Sequence, residues 1–163
     1  MALVTDVHIA RLLLRAVRSV QATYIERLQQ RGHPGLRTGH IPVLAGLAPD
    51  SPDTDGDTDG GADQPAGGGT RITDLANRAG MTRQMMGRLV RELEALGYLA
   101  TATHPDDQRA VVVTMTEQGN AIRAEAAEVI AELEADYAVL LHDPGLANLK
   151  GALQAVIRTS PTA

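Results

Sequence analysis

Residues 72–116 read ITDLANRAGMTRQMMGRLVRELEALGYLATATHPDDQRAVVVTMT, and this stretch decides the fold. Its apolar residues change period halfway along. Met86, Leu89, Val90, Leu93 and Leu96 share one face of a helix expected over about 83–96. Thr82 suits its N-cap and Gly97 its stop. Ahead of it, Ile72 is expected in a very short strand. Thr73 is expected to cap a helix at Asp74–Ala79, and Gly80 to allow the turn. Behind it, Leu99–Thr103 and Ala110–Met115 read as paired strands, with Val111, Val112 and Val113 strongly β-favouring. His104 to Arg109 forms a charged tip. Helix, turn, helix and hairpin in that order build a winged helix-turn-helix.

Working outward, Leu3–Gln30 is a long helical pattern carrying Leu3, Val7, Leu14, Val17, Tyr24 and Leu28 at helical spacing. Gly32, Pro34 and Gly35 end it. A shorter helix follows at about Thr38–Ala48, with Pro42 in its first turn, where a missing N–H is harmless. After the hairpin, Thr116 caps a helix expected over Glu117–Leu141, and a last one runs over about Leu146–Arg158 with Leu149, Leu153, Val156 and Ile157 facing inward. The expected fold class is mostly α with a small β-hairpin (α+β): a winged helix-turn-helix with N- and C-terminal dimerisation helices. Its parts are 1–48, an N-terminal dimerisation helix and support helix; 49–70, an Asp/Gly-rich flexible loop; 71–116, the winged unit; and 117–163, the C-terminal dimerisation helices.

The net charge of −5 argues against a nucleic-acid partner until its location is read. Residues 49–70 hold six Asp and no Lys or Arg, so the remainder carries 15 basic against 14 acidic groups. The window Arg78–Arg91 holds four Arg and no acid. Local charge governs phosphate binding. In a helix-turn-helix the second helix enters the major groove, with residues near its N-terminus at the base edges. Arg83, Gln84 and Arg88 have the chemistry for this: Arg pairs bidentately with guanine and Gln with adenine. Met85 suits a thymine methyl, Gly87 keeps that face slim, and Thr82 is placed to donate to a phosphate. Arg78 and Arg91 suit phosphates, which position without specifying. Arg109 at the hairpin tip suits the minor groove or a phosphate. Asp107 is expected to stabilise the wing by pairing with Arg109 or with backbone N–H groups. The plainer alternative is a solvated helix face and an ordinary turn.

The run ITDLANRAGMTRQMMGRLVRELEALGYL, the spacing Asp107-x-Arg109 and the following Met115-Thr116-Glu117-x-Gly119 resemble the MarR family of bacterial regulators. The likeness extends over nearly the whole chain apart from residues 49–70. It implies a homodimer on double-stranded DNA at a pseudo-palindromic operator, usually a repressor released by a small aromatic or anionic effector. It places Thr82, Arg83, Gln84 and Arg88 at recognition positions and Arg109 in the wing. Arg15, Tyr24 and His40 stand as effector-pocket candidates or, equally, as surface or interface residues. Two departures stand out. Relatives commonly carry basic residues in the first wing strand, where this chain has Thr101 and Ala102, and the Asp-rich loop is far longer than the usual connection. Six negative charges close to DNA are expected to weaken binding, most at low salt.

Other classes have little support. Cysteine is absent, which removes disulfides and thiolate metal sites. The five His do not form H-x-x-x-H, the three Ser lie in no nucleophile elbow, and Gly67-Gly68-Gly69 is not followed by a phosphate-loop Lys. No catalytic residue, metal site or cofactor is therefore expected. No apolar run approaches the ~20 residues of a membrane span, and the start lacks signal-peptide features, so no membrane partner and a cytoplasmic location are expected. The terminal helices carry more apolar surface than a compact winged unit covers, an independent argument for a homodimer. Two rivals remain: a winged-helix interaction module with weak or lost DNA binding, and a cation-responsive protein. The second would use Asp55, Asp57, Asp59, Gly60 and Asp63, which fit a calcium loop until position 12, where Ala66 replaces Glu.

Overall fold

The structure is a computed structural model that describes residues 8–47, 69–104, 107, 109–142 and 144–159. The Asp-rich loop up to residue 68, with its calcium-like spacing, lies outside the described residues, as do Leu3, Val7 and Asp106. The chain divides into two compact units, one reaching Glu125 and one starting at Ala126.

The first unit begins with α1, Ile9–Gln30. Only the C-terminal end of its apolar stripe is covered. Ile25 and Leu28 are buried, whereas Leu14 and Val17 are 59% and 51% exposed. A single 3-10 turn, Thr38–His40, precedes α2, Ile41–Gly46. The support helix is thus shorter than expected. His40 is drawn into the interior and Pro42 sits in the first turn of the α-helical part.

The winged unit opens on β1, Thr70–Arg71, and the very short strand falls there rather than at Ile72. Ile72 already belongs to α3, Ile72–Arg78, so Arg71 and not Thr73 occupies the N-cap, without a side-chain cap. The ladder explains the shift: Thr70 pairs with Val113 and Arg71 with Val112, and the chain leaves the sheet directly into the helix. Gly80 takes φ +60° in the turn that follows, a conformation costly for side chains with a Cβ. Helix α4 spans Arg83–Ala95, and the Thr82 hydroxyl accepts the Met85 N–H at 3.2 Å, as an N-cap does. Met86, Leu89, Val90 and Leu93 are buried, the face expected from the spacing.

Strands β2, Leu99–Thr103, and β3, Val111–Met115, are antiparallel, and the sheet order is β1-β3-β2. The hairpin is therefore a three-stranded sheet. The consecutive Val112 and Val113, which point to opposite faces of the sheet, are both buried, so β3 is covered on both faces and its apolar residues run on instead of alternating. Helix α5 spans Glu117–Leu141, as expected. Thr116 caps it, accepting the Gly119 N–H at 3.0 Å while donating to the Gly97 carbonyl at 2.6 Å. A Cβ at Gly119 would collide with the Tyr98 carbonyl oxygen, so the helix approaches the wing base at a distance only glycine permits.

The second unit contains the rest of α5 and helix α6, Gly145–Thr159. Val129 and Leu133 are buried. Leu149, Val156 and Ile157, expected to face inward, are 45%, 45% and 62% exposed in the single chain. Lys150 pairs with Glu134 at 2.7 Å.

Candidate nucleic-acid interface

Helix α4 is amphipathic in the way a groove-reading helix requires. Its buried face locks it onto the unit, and the opposite face carries Arg83, Gln84, Met85, Arg88 and Arg91, all exposed. Thr82, Gln84, Met85, Arg88 and Arg91 line one open cleft of about 350 Å³. Five of the residues singled out in the sequence are thus brought together. Nothing lies within 4 Å of where a Gly87 Cβ would stand, so the helix is slim at that point.

Arg83 and Arg109 border a second cleft, of about 160 Å³, together with Arg71 and Asp107. Arg83 Nη2 donates to the Arg109 carbonyl oxygen at 3.4 Å, tying the start of α4 to the wing. Asp107 stabilises the tip through the backbone: its Oδ1 accepts the Arg109 N–H at 3.0 Å, and its carbonyl accepts the Ala110 N–H at 2.9 Å. Of the two partners expected for Asp107, the geometry selects backbone N–H, which leaves the Arg109 guanidinium out of this contact. Arg78 lies apart from both clefts. Its Nη1 donates to the Gly46 carbonyl oxygen at 3.2 Å, joining α3 to the end of α2.

Behind the cleft stands a network that the sequence reading did not identify. Glu92 Oε1 accepts from Arg88 Nε at 2.9 Å, and Glu92 Oε2 lies 3.1 Å from His40 Nε2. Arg37 Nη1 stands 3.9 Å from the same oxygen. Hydrogen bonds from His40 first and Arg88 second hold the Glu92 carboxyl below its usual range. The only signal in the sequence is that Glu92 is the first acid after the Arg window and lies four residues from Arg88. The neighbouring Glu94 accepts both the backbone N–H and the hydroxyl of Thr101, at 3.1 and 2.7 Å. The residue standing where a basic wing position was expected therefore fastens the hairpin to α4.

The effector candidates differ in setting. Arg15 is exposed on α1. Tyr24 is half-buried, and burial raises its phenol pKa. His40 is 1% exposed and engaged with Glu92. Among the described residues there is no group of three or more His, Cys, Asp or Glu placed to hold a metal ion, and no helix long and apolar enough to cross a membrane.

Residues 65–110 match the model of the MarR family. Solved structures give the fold. A MarR transcriptional regulator from Methanosarcina mazei Go1 is 15% identical, with a TM-score of 0.70 over 92% of this chain and 94% of that one. BpsR of Bordetella bronchiseptica is 19% identical, with a TM-score of 0.63 over 92% and 98%. The transcriptional repressor CouR, solved on a 23-mer DNA duplex, is 20% identical, with a TM-score of 0.63 over 92% and 90%. No curated protein sequence matches the chain. The winged unit is of the MarR family, and the chain has the fold of MarR-family regulators.

Proposed function

We propose that this protein is a homodimeric, sequence-specific DNA-binding transcriptional regulator, a ligand-responsive repressor acting at a pseudo-palindromic operator. The observation that carries the reading is the cleft on α4, lined by Thr82, Gln84, Met85, Arg88 and Arg91 with no acid among the lining residues. Arg83, Gln84 and Arg88 read bases, Met85 meets a thymine methyl, and Thr82, Arg78 and Arg91 meet phosphates. Arg109, held out by the Asp107-stabilised turn, takes the minor groove or a phosphate. CouR on its duplex supports the same use of this fold.

Dimerisation through residues 1–48 and 117–163 is supported by exposed apolar side chains on all three long helices: Leu12, Leu14 and Val17 on α1, Val139 and Leu140 on α5, and Val156 and Ile157 on α6. Two recognition helices presented to successive major grooves stand about 34–36 Å apart. An effector acts by shifting the dimer between geometries with and without that spacing. Regulation of BpsR by 6-hydroxynicotinic acid supports a small anionic aromatic, with Arg15, Tyr24 and His40 as its candidate contacts.

The second reading is a winged-helix interaction module with little DNA affinity. It is favoured by the wing strand, where Thr101 is committed to Glu94 and Ala102 supplies no cation. Selection of genomic fragments bound by the purified protein separates the two. The regulator enriches one pseudo-palindromic motif, and the module enriches none.

A further inference from the structure

The geometry points to Glu92 as a positioning residue that sets the base preference of Arg88, an inference that rests on the proposed reading of DNA by α4. The chain of contacts begins at a buried imidazole. His40 is 1% exposed, and its Nδ1 accepts the Arg37 backbone N–H at 3.3 Å. An imidazole nitrogen that accepts carries no proton, so in the neutral ring the proton is on Nε2. That Nε2–H donates to Glu92 Oε2 at 3.1 Å. One carboxylate oxygen is thereby fixed from inside the fold, and the orientation of the other is fixed with it.

The second oxygen, Oε1, takes Arg88 Nε at 2.9 Å. A guanidinium has two edges able to make paired hydrogen bonds, one formed by Nε with an Nη and one by the two Nη groups. Glu92 occupies the first. The Arg88 side chain is 66% exposed and lines the cleft. The edge left for a guanine is therefore the one carrying both Nη groups. An arginine without this anchor samples many rotamers and offers either edge to several base pairs. The anchored one meets the groove in one orientation, so the ordering cost is met before DNA arrives. The same carboxylate, 27% exposed beside Arg88, adds a negative charge to this face. Its repulsion of phosphate is sequence-independent, whereas its hold on Arg88 acts only where Arg88 reads.

The test uses the full-length protein and its selected operator. Selections with wild type and Arg88→Ala identify the base pair whose preference depends on Arg88. The ratio of Kd values for the operator and for the same duplex changed at that base pair is then measured for wild type, Glu92→Ala, Glu92→Gln, Arg88→Ala and the Arg88→Ala/Glu92→Ala double variant. Circular dichroism confirms that each is folded. Glu92→Ala should lower the ratio about tenfold, since a well-held bidentate pair carries discrimination of that order. Glu92→Gln, which puts a donating NH2 at one of the two positions where oxygens now accept from His40 and Arg88, should also lower it. In the Arg88→Ala background the Glu92 substitution should leave the ratio unchanged. A ratio in Glu92→Ala within about twofold of wild type overturns the inference, as does an equal change in Kd for every sequence. If the wild type selects no sequence, or Arg88→Ala loses no base preference, the reading of α4 itself fails and the inference falls with it.

Discussion

His33 Nδ1 lies 2.8 Å from the Tyr98 hydroxyl, joining the turn after α1 to the base of the wing. The other ring nitrogen, Nε2, is 3.0 Å from Glu125 Oε2 on α5. A carboxylate only accepts, so Nε2 carries the proton and a neutral ring leaves Nδ1 to accept the Tyr98 O–H. Burial first, and the Glu125 charge second, raise the Tyr98 pKa, which keeps the phenol protonated for that role. Three elements far apart in sequence are pinned at one imidazole. Tyr98→Phe removes the donor and leaves a buried nitrogen unsatisfied, so we expect a loss of about 1–3 kcal/mol in urea unfolding. An unchanged midpoint would show that the contact contributes nothing.

The Glu92 carboxyl is lowered below its usual range, chiefly by the hydrogen bond from His40 and then by the one from Arg88. A carboxyl with a depressed folded pKa stabilises at pH values above its unfolded value, and that contribution disappears as pH falls through the folded one. Wild type should therefore exceed Glu92→Gln in stability at neutral pH. The gap should begin to close near the ordinary carboxylate pKa, about 4.3, and vanish in stronger acid. Parallel denaturation curves across pH check this. A gap that widens in acid would contradict the assigned contacts.

The exposed stripe of α1 predicts assembly. Val17 is 51% exposed and lies on the same helix as Leu12 and Leu14, also exposed. Val17→Glu would place a charge in the proposed subunit interface, where an unpaired ion is costly. Sedimentation should show a shift from dimer toward monomer of at least about tenfold in Kd. A monomeric wild type would contradict the proposed dimer.

Arg91 lines the α4 cleft and is assigned to phosphate, not to a base. Arg91→Ala should weaken binding to all duplexes alike and reduce the slope of log K against log salt by about 1. A change in base preference at constant salt slope would move Arg91 to the reading set.

The helices and the wing were legible in the sequence because periodicity and caps are local. Thr82, Thr116 and the buried face of α4 fall where the spacing puts them. The start of α3 was misread because Thr73 is a better capping residue than Arg71. What overrides it is the pairing of Thr70 and Arg71 with Val113 and Val112, over forty positions later. The inward placement of Leu149, Val156 and Ile157 failed for a different reason: amphipathic spacing shows that a face is apolar, not that its own chain covers it. Within the candidate site, the arginines could be read from local charge. Their supports could not, since His40 and Glu92 meet across fifty-two positions and only folding brings them together.

Helix α4 is proposed to read DNA. Fluorescence anisotropy should therefore be measured on the duplex selected by the wild type, against a scrambled duplex of equal composition, for wild type and Arg83→Ala/Arg88→Ala. Wild type should prefer the selected duplex at physiological salt by at least about a thousandfold. The double variant should lose most of that preference while remaining folded. A wild type that binds both duplexes equally, or a double variant that keeps the full preference, would contradict that role for α4.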